Sequence, residues 1–311
     1  MEEARKEFKT ARLSDGRIEI MADSMEKVFK IRTFYEALIS PVRLREIEYN
    51  PALIANCLIK EIDIDMLNLW HEGKPPYKYR IEIKGIKGDR SREAEGLIRE
   101  IRKEYGENLI NSPSDYEFEI RIERKKERCS VYLKLFTFED RRFAYRINSL
   151  PASIKGETAA NCMKLVSAHF RDNARILDPF MGAGTMLIER AFYGKNLRLE
   201  GTDIYGEAVK YAKENIRAAG LEAKLYKSDI IEFKNRDKYD EIISNMPYGL
   251  RVGTHRENEQ LYKDFILRIP ELLKPDGVLF LLTADFGLLK RLAKDNGLKL
   301  VAEFVIGSGG L

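Results

Sequence analysis

The sequence predicts an α/β protein in two parts. An α+β module covers residues 1–150, and a doubly wound parallel sheet flanked by helices covers residues 151–311. Three observations carry that expectation. From Leu150 onward, short apolar runs alternate with amphipathic ones in the rhythm of βαβ units. One junction, Arg175-Ile-Leu-Asp178-Pro-Phe-Met-Gly182-Ala-Gly184-Thr185, reads as strand, glycine turn and helix. Polar residues also stand at the ends of successive predicted strands: Asp178, Asp203, Asp229 and Asn245. In an open parallel sheet that edge is where ligands bind.

The chain has 311 residues, enough for two sizeable cores. Its 44% apolar and 33% charged residues exclude a disordered chain. A net charge of +4 permits a nucleic-acid partner without requiring one. No apolar run is long enough to span a bilayer, and Met1-Glu-Glu-Ala-Arg-Lys lacks the apolar core of a signal peptide. Cys57, Cys129 and Cys162 are scattered, as are His71, His169 and His255, so the expectation is reduced thiols, no metal site and a cytoplasmic protein.

In order, Arg17 to Met21 alternates as a short strand. Asp23 with Glu26 resembles a capping box for a helix through Val28, Ile31, Phe34 and Leu38. Val42 to Tyr49 alternates again. Asn50-Pro51 is a good N-cap and first helical position for a helix to about Lys60. Tyr77 to Lys84 is a strand, and Ser91 to Tyr105 is an amphipathic helix stopped by Gly106. Tyr116 to Ile122, Val131 to Phe136 and Arg142 to Ile147 read as further strands, largely antiparallel. Arg121, Arg124, Lys125, Lys126 and Arg128 cluster at a predicted hairpin, for which a solvated turn is the plainer reading. With Tyr77, Tyr79, Arg80, Lys84, Lys87 and Arg90, they could instead hold a phosphate backbone, the aromatics stacking on bases.

Pro151 to Thr158 leads into a helix through Cys162, Leu165, Val166 and Phe170. After the Asp178 strand and its helix come Leu197 to Asp203 as a strand and Glu207 to Ala219 as a helix. Ala223 to Lys227 and Tyr239 to Ser244 are strands, and Asn258 to Leu273 is a helix. Val278 to Ala284 is the fifth strand, Phe286 to Asp295 a helix, and Lys299 to Ile306 the sixth strand.

Asp203 follows the glycine turn by about 20 residues, where a carboxylate can accept both ribose hydroxyls of a nucleotide. A dinucleotide would fit this much equally well, although Leu187 occupies the third glycine position of that fingerprint. Asn245-Met246-Pro247-Tyr248 decides the matter, since a dehydrogenase has no need of it. An exocyclic amine on a base is a poor nucleophile because its lone pair is delocalised. An Asn oxygen and the next backbone carbonyl can accept its two N–H groups and turn that lone pair toward an electrophilic methyl. An adjacent aromatic ring can stack on the flipped base. Positioning supplies the rate.

The run Asp178-Pro-Phe-Met-Gly-Ala-Gly-Thr185, then Asp203, Asp229 and Asn245-Met-Pro-Tyr-Gly-Leu-Arg251, resembles class I S-adenosylmethionine-dependent methyltransferases acting on amines. The likeness is greatest to THUMP-domain RNA methyltransferases that form N2-methylguanosine. Pro151-Ala-Ser-Ile-Lys155 matches the helix entry that precedes their glycine motif, and Asn111 to Arg121 with Tyr145-Arg146 resembles the end of their THUMP module. The resemblance implies a Rossmann-like C-terminal domain and a ferredoxin-like and THUMP-like RNA-binding part that holds the 3′ end of tRNA. It implies that Asp178, Gly182, Gly184, Thr185, Asp203, Asp229 and Asn245 line the S-adenosylmethionine site. Gly182 and Gly184 would pass the methionine moiety, Asp203 would hold the ribose, and Asp229 the adenine amine. Asn245, Met246, Pro247 and Tyr248 would receive the guanine, with Arg251 reaching RNA phosphate or an exposed salt bridge. Two departures stand out. Met246 replaces the commoner proline, although Pro247 still holds it extended. The chain stops at Gly307-Ser-Gly-Gly-Leu311, where the family's sheet adds a seventh strand, so an unpaired edge is expected. The expected activity is methylation of guanosine N2 in tRNA. The rivals are the same chemistry on 23S rRNA guanine or on N6-adenine of DNA, and a non-catalytic RNA-binding protein retaining the fold.

Overall fold

The computed structural model describes residues 8, 11–14, 17–22, 24–71, 74–85, 90–137, 139–151, 153–235, 237–247 and 255–306. The chain forms two compact units. One is Tyr35–Glu139, and the other joins Met1–Phe34 to Asp140–Leu311. The discontinuous unit begins with an antiparallel hairpin, β1 (Ala11–Ser14) and β2 (Arg17–Ile20), and a short helix α1 (Met25–Phe29).

The continuous unit contains β3 (Ile47–Glu48), α2 (Pro51–Glu61), α3 (Ile64–His71), β4 (Tyr77–Lys84), α4 (Arg90–Tyr105), β5 (Leu109–Asn111), β6 (Phe118–Lys125) and β7 (Arg128–Leu135). Asn50 caps α2 as its sequence requires, its Oδ1 accepting the Ala52 and Leu53 N–H groups at 3.0 and 3.2 Å. The strands form one sheet in the order β3-β7-β6-β4-β5. It is mixed, which corrects the expectation of mainly antiparallel strands: β4 runs parallel to β5 and β6, while β7 runs antiparallel to β6 and β3. The cause is α4, which carries the chain back across the sheet before β5, as a parallel pair requires. Ile54 and Leu58 of α2 and Leu97 and Ile101 of α4 bury against Tyr79, Ile120 and Val131.

The discontinuous unit continues with α5 (Gly156–Val166), β8 (Arg175–Asp178), α6 (Thr185–Ala191), β9 (Arg198–Asp203), α7 (Gly206–Ala218), β10 (Ala223–Lys227), β11 (Tyr239–Asn245), α8 (His255–Leu272), β12 (Leu273–Leu282) and α9 (Phe286–Asp295). All five large strands are parallel, in the order β10-β9-β8-β11-β12. The order reverses between β8 and β11, which makes their C-terminal ends the topological switch point. Successive residues bury on opposite faces. Ile176 and Ile243 join Met163, Leu187 and Ile216, while Leu177 and Ile242 join Phe265, Ile269 and Leu292. Helices therefore cover both faces of the expected doubly wound sheet.

Several expected elements differ. Arg142 to Ile147 is a turn rather than a strand, because its buried side chains recur at turn spacing. Arg142 donates through Nη1 to the carbonyls of Ile31, Arg32 and Phe34 at 3.3, 3.4 and 2.9 Å, and Tyr145 donates to Glu189 Oε1 at 2.5 Å. Those carbonyls are thereby taken from a continuing α1, which stops at Phe29. Ser24 is its N-cap, Asp23 lying outside the described residues. Val42 to Tyr49 is broken by Glu46 at φ 50°, with a 3₁₀ turn before it. Lys299 to Ile306 joins no ladder, and Val301, Phe304 and Val305 are exposed. β12 begins at Leu273, earlier than the expected Val278, with an irregularity around Pro275-Asp-Gly277, since Tyr239 pairs with Leu273 but Glu241 with Val278. His255 is the first residue of α8.

The basic hairpin is mostly consumed within its own unit. Arg121 is bound by Glu36 and Glu119, Arg124 by Glu93, and Arg128 donates to the Glu46 carbonyl. The two guanidinium and ammonium partners of Glu36 hold its carboxyl at about 2, against its burial. Tyr77 and Tyr79 are core residues, 1% exposed, so they offer no stacking face. Lys87 lies outside the described residues. No described helix is long and apolar enough to cross a membrane.

Candidate active site

Strand ends and the turns that leave them build the site, all within the discontinuous unit. Asp178 ends β8 and is 1% exposed. Its Oδ1 accepts the Phe180 N–H at 3.1 Å, closing an Asx turn, and the Ser244 hydroxyl at 2.6 Å. Burial pushes its carboxyl up to about 7, with the nearby Asp203 charge adding to the shift against those two donors.

The following turn is left-handed at Gly182 and Gly184, with φ 49° and 82°. A side chain at Gly184 would also meet Ala212 Cβ of α7 at 3.3 Å. Three bonds hold this turn. Gly182 N–H donates to Asp203 Oδ2 at 3.0 Å, Met181 N–H to the Thr202 carbonyl at 3.1 Å, and Thr202 Oγ1 to the Pro179 carbonyl at 2.8 Å. From behind, the buried Asn215 amide donates to the Ala183 and Asn148 carbonyls, both at 2.9 Å, and accepts the Asn148 N–H at 3.0 Å. Thr185 opens α6 with its Oγ1 buried and without a partner among the described residues. An orphaned hydroxyl beside two open backbone turns suits a polar ligand that supplies the missing bond.

Asp203 ends β9. Its Oδ1 accepts the Tyr205 N–H at 2.9 Å, and burial raises its pKa against the Tyr205 and Gly182 donors. Each carboxylate oxygen retains acceptor capacity for a hydroxyl. Ile204 and Tyr205, 51% and 56% exposed, present apolar surface immediately after it. The Asp203 carbonyl accepts Ser228 N–H at 3.0 Å, which brings the exposed Asp229 alongside. Asp229 Oδ1 caps its own turn through Ile231 N–H at 2.9 Å.

Across the switch point, half-buried Asn245 ends β11 in register with Leu282. The ladder goes one step further, Met246 N–H donating to the Leu282 carbonyl at 2.9 Å, and its side chain is fully buried. Pro247 then ends it, having no N–H to give. Its carbonyl accepts the Tyr262 hydroxyl of α8 at 3.0 Å. Tyr248 and Arg251 lie outside the described residues.

The described residues among those predicted from sequence therefore lie along one sheet edge. Ser228, next to Asp229, donates to the Asp203 carbonyl while the Asp203 side chain accepts Gly182 N–H, and Ser244, next to Asn245, donates to Asp178. Ser244, Asn215 and Tyr262 escaped the sequence reading. Only Ser244 carried a signal, being a polar residue in an apolar strand one step before Asn245.

Comparison with known proteins accords with this geometry. A crystal structure of TrmN from Thermus thermophilus superposes with a TM-score of 0.67 at 22% identity, over 91% of this chain and 83% of that one. A predicted N6-adenine-specific DNA methylase from Listeria monocytogenes gives 0.69 at 16% identity, over 97% and 88%. In sequence, a tRNA (guanine(6)-N2)-methyltransferase of Thermus thermophilus is 32% identical over 52% of this chain and 49% of its own. The enzyme of that description from Methanocaldococcus jannaschii is 28% identical over 54% of each chain. The chain spans about half the length of these two curated relatives. Residues 144–311 match the model of one family, and the chain belongs to that family, UPF0020, described as RMKL-like, methyltransferase domain.

Proposed function

We propose that this chain transfers a methyl group from S-adenosylmethionine to the exocyclic N2 amine of a guanosine in tRNA. The observation that carries the reading is the meeting, across the switch point, of the Asp178–Gly184 turn with Asn245-Met246-Pro247 through the Ser244–Asp178 bond at 2.6 Å. Relatives described as tRNA guanine-N2 methyltransferases support the choice of base and RNA.

S-adenosylmethionine supplies a methyl carbon made electrophilic by its sulfonium. The residues of the chain hold and orient. The Asp203 carboxylate accepts the ribose hydroxyls while keeping the Gly182 and Tyr205 N–H groups. Thr185 Oγ1 and the backbone at Gly182 and Gly184 meet the methionine moiety, Ile204 and Tyr205 flank the adenine, and Asp229 accepts its amine. Asn245 Oδ1 and the Met246 carbonyl accept the two N2–H groups of guanine, so that its lone pair faces the methyl. Tyr248 stacks on the flipped base. When bound, S-adenosylmethionine would supply its methyl to the guanine nitrogen so oriented, with S-adenosylhomocysteine as the leaving thioether and the amine's extra proton passing to water. RNA is held by the α+β part, Tyr35–Glu139, acting as the THUMP-like module.

The test is labelled S-adenosylmethionine with separate pools of unmodified tRNA, ribosomal RNA and DNA, the labelled nucleoside being identified by mass spectrometry. N2-methylguanosine in tRNA is the expected product. Label confined to rRNA or DNA would correct the substrate. Cofactor binding with no label in any pool would overturn the enzymatic reading.

A further inference from the structure

Pro247 creates a problem that the strand cannot solve. The β11 ladder ends with the Met246 N–H, and the half-buried Pro247 carbonyl then needs a donor from elsewhere. Tyr262 provides one. It sits on the buried stripe of α8 with Phe265, Ile266 and Ile269, its ring 2% exposed in the same cluster as Met246. The Tyr262 hydroxyl lies 3.0 Å from the Pro247 carbonyl and 3.1 Å from Thr283 Oγ1, which is itself 3.0 Å from the Asp285 N–H.

The ends of this row leave one arrangement of hydrogens. A backbone N–H can only donate and a carbonyl can only accept. Asp285 N–H therefore donates to Thr283 Oγ1, Thr283 donates to Tyr262, and Tyr262 donates to Pro247. Each member has its hydrogens used in one direction, an arrangement in which each bond polarises the next. The row spans three segments at one sheet edge: Met246-Pro247 just after β11, the first residue after β12, and α8. Asp285 is fixed in turn as the N-cap of α9, accepting Leu288 N–H at 3.1 Å. Burial raises the phenol's pKa above its ordinary value, so it stays a donor through the neutral range.

We propose that Tyr262, backed by Thr283, is a positioning residue for the methyl-acceptor site: it fixes the backbone at Met246-Pro247 and so aims the Asn245 amide and the Met246 carbonyl at the incoming amine. This rests on the methyl-transfer reading for its functional consequence, and on the hydrogen bonds alone for its structural one. A misplacement of about 1 Å at a positioning group can cost on the order of 100-fold in rate. Loss of one bond from a backbone that stays in its ladder on the other side falls short of that.

The experiment uses the full chain and three variants: Tyr262→Phe, Thr283→Val and Thr283→Ser. Tyr262→Phe removes only the oxygen at the end of the row, and Thr283→Val removes the hydroxyl behind it. Thr283→Ser keeps that hydroxyl. Two readouts separate this inference from the broader one. The first, independent of activity, is amide exchange. Tyr262→Phe and Thr283→Val are expected to speed exchange at Met246 by at least fivefold, with Gly182 and Met181 unchanged and Thr283→Ser behaving as the parent. The second is steady-state methyl transfer. Tyr262→Phe is expected to lower kcat roughly 5- to 30-fold, with KM for S-adenosylmethionine and the Kd for tRNA within about twofold of the parent. Thr283→Ser is expected to retain the rate that Thr283→Val loses. Unchanged exchange at Met246 overturns the inference whether or not the parent is active. An active parent with unchanged kcat in Tyr262→Phe also overturns it, as does a loss that appears only in KM for S-adenosylmethionine. An inactive parent with altered exchange would remove the methyl-transfer reading and leave the structural tie standing.

Discussion

Ser244 donates its hydroxyl to Asp178 Oδ1 at 2.6 Å, joining the last turns of the two strands on either side of the switch point. The bond is buried at both ends, and it sets the neighbour of Asn245 against the start of the glycine turn proposed to hold the cofactor.

That bond lies at a carboxyl whose burial favours the protonated form, with a pKa of about 7 against an ordinary 3.8. A raised pKa means the folded state binds more protons than the unfolded one between those values. The stability this group contributes is therefore present below about pH 4 and is lost as pH rises through about 7, a swing on the order of 4 kcal/mol. Asp178→Asn keeps the acceptor for Phe180 and Ser244 but cannot ionise. Its Tm relative to the parent is expected to rise from pH 4 to pH 7 and then level off. A difference independent of pH would sink this account.

Asn245→Ala is expected to abolish methyl transfer by a factor on the order of 100–1,000, the usual loss for one preorganised hydrogen-bonding group. Calorimetric titration with S-adenosylmethionine should give nearly the parent's affinity, because the glycine turn proposed for the cofactor is held by Asp203 and Thr202. A fully active variant would refute the amine-orienting role.

Asp203 holds the Gly182 turn and is the proposed ribose contact, so its replacement should act on binding first. Asp203→Ala is expected to weaken S-adenosylmethionine by about 10- to 100-fold, the worth of hydrogen bonds to a charged group. Unchanged binding by calorimetry would rule out the ribose contact.

The buried Arg190–Glu241 pair is a structural counterexample to reading every charged residue near the motif as functional. Arg190 donates through Nε and Nη2 to the two Glu241 oxygens at 2.6 and 2.8 Å, gives its remaining bonds to the Tyr193 and Arg171 carbonyls, and lies over the Phe170 ring. Arg190→Met should destabilise the chain by about 3–5 kcal/mol, because it strands a buried carboxylate. Arg190→Met with Glu241→Gln should recover part of that loss in urea melts. No recovery would mean that packing on Phe170, rather than the stranded charge, dominates.

The parallel sheet was legible because its rules are local. Ile176, Leu177, Asp178 and the glycines announce a strand, its end and a left-handed turn within a few positions, and the same signals recur at Asp203 and Asn245. What escaped was set by partners distant in sequence. Arg142 to Ile147 alternates like a strand, yet Arg142 and Tyr145 are claimed by backbone carbonyls near residue 32 and by Glu189, which no periodicity encodes. The charge of Arg121 reads as surface until Glu36 and Glu119 enclose it. Tyr262 reads as one more apolar helix position, since its hydroxyl matters only because a proline ends the strand opposite.

Arg142 has a consequence for the chain's path. One guanidinium holds the Phe34 carbonyl at 2.9 Å and the Asp140 carboxylate at 2.6 and 2.8 Å. The point where the chain departs into Tyr35–Glu139 and the point where it comes back are therefore neighbours. In engineering terms the continuous unit is an insertion whose two chain ends meet, and insertions of this kind tolerate excision or exchange. A short flexible splice from Phe34 to Asp140 would leave every bond of the switch-point edge in place, since each of them lies within the discontinuous unit.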